Sequence, residues 1–132
     1  MTTVITFGTF DLFHIGHLNI LERAKQLGTR LVVGVSSDAL NFKKKNRYPH
    51  TNQTNRLHVL RALSCVDEVF LEESLELKAD YIRAHGATLL VMGDDWEGKF
   101  DDMPCHVVYL PRTPFISTTK LVERIVHTNQ NV

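Results

Sequence analysis

Little in this chain would tie it to a membrane, a metal centre or a disulfide framework. Its 132 residues include only two cysteines, Cys65 and Cys105. They lack the spacing of a zinc or thiol–disulfide motif and read as small, reduced apolar residues. No apolar run approaches the length of a membrane-spanning helix. The opening Met1-Thr2-Thr3 leads straight into an apolar strand pattern, without a leader segment. The expectation is a cytoplasmic protein with no membrane insertion. Net charge is also missing, because 15 Lys and Arg balance 15 Asp and Glu. No overall basic field therefore recruits nucleic acid. There is no internal repeat and no low-complexity tract. No serine sits in a nucleophile-elbow context and neither cysteine lies in a nucleophile motif, which argues against a covalent enzyme intermediate.

What is present is the material of one globular domain over residues 1–132. Hydrophobic residues make up 43% and charged residues 23%, ordinary values for a chain long enough to bury a core. Strand patterns fall at residues 4–7, 30–35, 68–71, 89–92 and 106–110. Helical patterns fall at 17–27, 56–63, 75–85 and 118–127, with the tail from 127 expected to fray. Alternation of this kind predicts an α/β fold: a single-domain, Rossmann-like, doubly wound parallel five-stranded sheet. Ligands on such sheets bind beyond the carboxyl ends of the strands. The residues of chemical interest obey that rule, since 8–17, 36–38, 93–96 and 112–119 each follow a strand. Gly28 suits the position just past the first helix. Residues 41–55 carry Lys43, Lys44, Lys45 and Arg47 without an apolar face, and read as a mobile cationic flap over phosphates.

The most informative run is Gly8-Thr9-Phe10-Asp11-Leu12-Phe13-His14-Ile15-Gly16-His17. A strand, a turn of small residues and a helix start with two imidazoles make a site for a polyphosphate, because backbone N–H groups at a helix start face the anion. His14 and His17 are three residues apart and reach the same phosphate. After the fourth strand comes Gly93-Asp94-Asp95-Trp96-Glu97-Gly98-Lys99-Phe100. Its carboxylates fit a ribose, a base amine, a metal-bound water or simply a turn. Trp96 fits either a wall for a base or plain packing. After the fifth strand, Pro111-Arg112-Thr113-Pro114-Phe115-Ile116-Ser117-Thr118-Thr119-Lys120 offers helix caps in Ser117 and Thr118. With Arg112 upstream, the same residues also form a second anion cradle.

The GTFD turn followed by His-Ile-Gly-His resembles the nucleotidylyltransferase superfamily. Together with GDDWEGKFD and YLPRTPFISTTK, it is similar to the glycerol-3-phosphate cytidylyltransferases over nearly the whole chain. That resemblance implies CTP and glycerol 3-phosphate as substrates, CDP-glycerol and pyrophosphate as products, Mg2+ as the accompanying cation and a homodimer as the assembly. The product would feed teichoic-acid or glycerol-phosphate capsule synthesis. The family pattern makes His14, His17, Lys44 and Arg112 catalytic. It assigns Thr9, Phe10, Gly93, Asp94, Thr113, Ile116 and Thr119, with the two histidines, Arg112, Ser117 and Thr118, to the nucleotide. It places Asp11, Asp38, Lys44 and Lys78 at the acceptor, and it supplies no protein ligand for a metal. Two departures bear on the acceptor. Ser64-Cys65 stand where relatives carry an arginine, with Arg61 one turn earlier on the same helix face. Asn46 replaces a lysine beside Arg47, and residues 51–55 run about one residue long. Alternatives that keep the site are another phosphate acceptor (glycerol 2-phosphate, another polyol phosphate, phosphoethanolamine) or a non-catalytic nucleotide-binding module.

Overall fold

In the computed structural model, residues 1–114 and 116–130 are described, the last three by backbone alone. Five strands form one parallel sheet in the order β3-β2-β1-β4-β5: β1 Thr3–Gly8, β2 Arg30–Ser36, β3 Glu68–Glu72, β4 Leu89–Gly93 and β5 His106–Leu110. The chain steps outward from β1 to β3, then returns across β1 to lay down β4 and β5. β1 therefore pairs on both sides, with Thr6 opposite Val33 of β2 and Val91 of β4. Strand order reverses between β1 and β4, and that crevice is where open α/β sheets receive ligands.

Strand alternation sorts the core into two layers. Val4, Leu31, Val33, Val35 and Val91 face one side, where Leu21 and Ala24 of α1 (Ile15–Gln26) and Leu60 of α3 (Gln53–Arg61) pack on them. Ile5, Phe7, Val32, Leu90 and Met92 face the other side and meet Ile82 of α4 (Lys78–Ala84). Helices thus cover both faces, and the doubly wound parallel sheet expected from the alternation is the observed fold. Both cysteines are free.

The elements differ from the sequence reading where polarity hid them. Asp38–Lys45 is a helix, α2, in place of the expected start of a mobile flap. Ser37 caps it by accepting from Leu40 N–H, three lysines occupy its negative last turn, and Asn46 ends it in the left-handed conformation. The third helix begins at Gln53 because Asn52 caps it. The expected 75–85 helix is a 3-10 turn at Leu75–Leu77 followed by α4, and a second 3-10 turn covers Asp94–Trp96. α5 runs over Thr118–Gln130, past the point where fraying was expected; residues 131 and 132 lie outside the described residues. Gly28 follows the helix end as expected, but for space rather than for a left-handed turn. A Cβ there would lie 2.6 Å from the Thr2 carbonyl oxygen.

Gly34, mid-β2, is closely packed between two aromatic rings. An added Cβ would sit 2.6 Å from Phe7 and 2.7 Å from Phe70, whose rings meet edge to face across β2. Gly34→Ala is expected to lower stability by about 1–3 kcal/mol, the usual cost of overpacking. A denaturation midpoint equal to that of the parent would contradict this packing.

Candidate active site

The turn leaving β1 is held in a conformation that side-chain-bearing residues seldom adopt. Phe10 and Leu12 have φ of 55° and 47°, each at a cost of about 1–2 kcal/mol. The surroundings hold it there. Phe10 is buried in the core, and the Asp11 carboxylate accepts backbone N–H bonds from His50 and Thr51, both 2.8 Å. The Asp11 carbonyl accepts from Thr118 Oγ1 at 2.8 Å, tying the turn to the start of α5.

α1 then begins with a capping box made of two histidines. His14 is the N-cap, and its Nδ1 accepts the Gly16 N–H at 3.0 Å. His17 reaches back, its Nδ1 accepting the His14 N–H at 3.2 Å. Backbone N–H groups can only donate, so both Nδ1 atoms must be unprotonated and each neutral ring carries its proton on Nε2. The rings stack with centroids 3.8 Å apart. His17 is further walled by Phe10 and Phe13, at 5.5 and 5.3 Å. Burial pulls the His17 pKa down to about 4; His14 and Arg112 push the same way, and Asp11 opposes them. His14 is lowered by burial and then by Arg112. At neutral pH the pair is two uncharged donors fixed at a helix N-terminus, a suitable receptor for developing negative charge.

One guanidinium ties together the loops around this turn. Arg56, 2% exposed, donates to the carbonyls of Thr9, Ser36 and Thr51, each at 2.8 Å, and to the Asp38 carboxylate at 2.7 Å. Thr9 Oγ1 donates to the Asn41 amide oxygen at 2.8 Å, while the Asn41 amide nitrogen donates to Ser36 and Ser37 carbonyls. Arg56 and Asn41 were not singled out from sequence. A signal existed for the first, since Arg56 lies on the same helical stripe as Leu60 and Leu63, and a cation on a core-facing stripe implies a buried partner.

The expected acceptor residues fall into two groups. Asp11 and Asp38 spend their carboxylates on the protein, Asp11 on the 50–51 backbone and Asp38 on Arg56 and the Gln53 N–H. Lys44 and Lys78 converge instead on the carboxyl ends of β2 and β3. Lys44 Nζ donates to Ser36 Oγ at 3.2 Å, and Lys78 Nζ pairs with Glu72 at 2.7 Å in full burial.

The residues expected on the nucleotide side gather across the crevice. Asn19 of α1 donates to Thr113 Oγ1 at 3.0 Å and Arg23 to the Pro111 carbonyl at 3.1 Å, so α1 carries the loop after β5. Ile116 lies against Gly16, where a Cβ would approach its Cγ2 to 3.3 Å. Ser117 caps α5 by accepting the Lys120 N–H, and Thr119 is exposed on its first turn. Arg112 is exposed, with Nη1 3.9 Å from the Asp95 carboxylate, which brings the loop after β5 to the 3-10 turn after β4. Gly93 ends β4 under the Asp95 side chain and Asp94 is exposed beside it. Trp96 packs on Phe100 at 5.6 Å with one face over Lys99. Phe115 of the same loop lies outside the described residues.

Residues 5–124 match the model of the cytidylyltransferase-like family. The chain belongs to that family. Among its relatives, the glycerol-3-phosphate cytidylyltransferase of Bacillus subtilis (strain 168) is 51% identical over 127 residues, covering 95% of this chain and 98% of that protein. The protein of the same name from Staphylococcus aureus (strain NCTC 8325 / PS 47) is 41% identical, covering 95% and 96%. Among solved structures, the lipopolysaccharide core biosynthesis protein from Thermoplasma volcanium GSS1 superposes with a TM-score of 0.70 at 22% identity, covering 88% of this chain and 99% of that one. The last likeness speaks to the fold, and it is the fold expected of a cytidylyltransferase-like chain.

The depressed histidine has a consequence for stability. An unfolded His17 binds a proton near pH 6.5 while the folded one resists until about pH 4. Stability is therefore full above pH 6.5 and falls as pH drops from 6.5 towards 4, by up to about 3 kcal/mol. His17→Gln keeps an acceptor for the His14 N–H but cannot titrate. Urea midpoints of the parent are expected to fall between pH 6.5 and 4.5 more steeply than those of His17→Gln. Parallel profiles would contradict a buried, neutral His17.

Proposed function

We propose that this cytidylyltransferase-like protein transfers CMP from CTP to sn-glycerol 3-phosphate, giving CDP-glycerol and pyrophosphate. The observation that carries this reading is the full-length 51% identity to a protein of that activity, together with a built site at the β1/β4 crevice. The acceptor phosphate is a competent nucleophile as a dianion. One of its oxygens forms the new bond to the α-phosphorus of CTP, and the bond to the pyrophosphate oxygen breaks in line. No proton need be removed from the nucleophile, so the site has no call for a strong base. Charge accumulates on the α-phosphoryl oxygens and on the leaving pyrophosphate. The Nε2–H groups of His14 and His17, the N-terminus of α1 and Arg112 are donors suited to that charge.

Among the described residues, no group of three or more His, Cys, Asp or Glu is arranged to hold a metal. That donor set fits an Mg2+ that arrives with CTP, bound mainly by phosphate oxygens and water, with Asp94 and Asp95 as the carboxylates at hand. The ion would supply charge neutralisation on the triphosphate. Gly93 through Trp96 would take the nucleoside, and Thr113 through Thr119 the phosphates from the far side. Lys44 and the cluster behind it would take the acceptor phosphate.

The proposal extends to a homodimer in the cytoplasm. α5 leaves Ile125 and Val126 56% and 50% exposed, an apolar face that a second copy would cover. Among the described residues no helix is long and apolar enough to cross a membrane. The use of CDP-glycerol would be transfer of glycerol phosphate to a teichoic-acid or capsule polymer.

The test is pyrophosphate release with Mg2+ and CTP, comparing sn-glycerol 3-phosphate with glycerol 2-phosphate, other polyol phosphates and phosphoethanolamine. Turnover is expected with sn-glycerol 3-phosphate alone, falling about 10²-fold or more in His14→Ala. Preference for another monoester would overturn the acceptor assignment. CTP binding with silence across the panel would overturn catalysis altogether.

A further inference from the structure

The most unusual feature outside the phosphate turn is a buried carboxylate with lysines on both sides. Glu72 ends β3 with 1% exposure, and Lys78 opens α4 with 4%. They pair at 2.7 Å. The second Glu72 oxygen accepts from Ser36 Oγ at 3.3 Å, and the same Ser36 oxygen accepts from Lys44 Nζ at 3.2 Å. The direction of these bonds follows from chemistry. The carboxylate can only accept, so the Ser36 proton points at Glu72 and its lone pairs face the Lys44 ammonium. Lys78 is covered by the Phe7 ring, 3.8 Å from its ammonium, and by Phe100 at 5.3 Å.

Isolated buried charges are costly, and a buried pair seldom stabilises more than an apolar replacement of the same shape. This pair also sits at the carboxyl edge of the sheet, directly behind the exposed Lys44. Stability is therefore a poor reason for it, and charge placement is a better one. We propose that Glu72 is a positioning residue for the acceptor phosphate: it keeps Lys78 protonated behind the site and, through the Ser36 hydroxyl, fixes the reach of Lys44. The inference rests on the reading of Lys44 as the acceptor-phosphate lysine.

The electrostatics agree with the geometry. Burial lowers the Lys78 pKa, and Glu72 is the group that opposes this, by charge and by hydrogen bond. Lys44 is lowered by burial, supported by Glu72, and pushed further down by Lys45 of its own helix, Lys78 of α4 and Arg56 of α3. Without the Glu72 charge, the buried Lys78 ammonium would lose the carboxylate it pairs with, and Lys44 would lose the charge that offsets its cationic neighbours. The second proton of a phosphate monoester leaves near pH 6, so a change in this contact above pH 7 would have to come from the protein side.

Initial rates of pyrophosphate release should be measured from pH 7 to 9 for the full chain and for Glu72→Gln, Glu72→Asp and Ser36→Ala. The parent is expected to hold a flat KM for glycerol 3-phosphate across this range. Glu72→Gln should raise that KM about tenfold at pH 7, and further towards pH 9, while the KM for CTP stays within about twofold. Glu72→Asp, which keeps the charge, should restore the flat profile. Ser36→Ala should raise the acceptor KM without adding pH dependence. If Glu72→Gln does not fold, the Glu72→Asp and Ser36→Ala pair decides the matter by the same readouts. An unchanged acceptor KM in Glu72→Gln, or equal losses for both substrates, would overturn the positioning role. For the pair, a pH-dependent acceptor KM in Glu72→Asp or an unchanged one in Ser36→Ala would do so. An inactive parent would instead overturn the acceptor reading on which the inference rests.

Discussion

Two hydrogen bonds at the first turn of α1 decide what this site can be. The Gly16 N–H goes to His14 Nδ1 and the His14 N–H to His17 Nδ1. Each bond satisfies a backbone donor that the helix leaves unpaired. Each also fixes a tautomer, because an imidazole nitrogen that accepts from an amide cannot hold a proton. Stacking then puts the two rings side by side, and burial keeps them uncharged. The helix cap and the proposed phosphate receptor are thus the same pair of side chains. Substituting either one alters a structural bond as well as a donor.

That pair is useful only if the turn before it stays in place, and the turn is strained at Phe10 and Leu12. Strain of this kind persists where the surroundings over-determine it. Three elements do so here. Arg56 of α3 holds the Thr9 carbonyl, the 50–51 backbone holds Asp11, and Thr118 of α5 holds the Asp11 carbonyl. Arg56 also donates to the backbone carbonyl of Ser36 at the end of β2, the residue whose hydroxyl links Lys44 to Glu72. The triphosphate end and the acceptor end of the proposed site are therefore braced by one buried guanidinium.

The sheet and its parallel sense were legible in the sequence. β-strand runs such as Val4-Ile5-Thr6-Phe7 are apolar on both faces because helices cover both, and each motif follows one of them. The two histidines announced themselves by spacing. What stayed hidden has a common cause. α2 carries Lys43, Lys44 and Lys45 and has little apolar surface, so it looked like a loop; its helix depends on the Ser37 and Asn46 caps more than on packing. Arg56, Asn41 and Glu72 are polar residues that act from inside, and single-sequence patterns assign polar residues to the surface. The family pattern places Asp11 and Asp38 at the acceptor; in the folded chain their oxygens also hold the 50–51 backbone, the Gln53 N–H and the Arg56 guanidinium, which spacing alone does not reveal.

The claim on which the account turns is that His14 and His17 are neutral and carry their protons on Nε2. Imidazole 15N–1H correlation spectra of the protein at pH 7, recorded with and without CTP, read this directly. The account predicts that both rings show an unprotonated Nδ1 and a protonated Nε2, with the Nε2–H signals shifting when CTP binds. A proton on Nδ1 of either ring, or an imidazolium at His17 in the free protein, would contradict it.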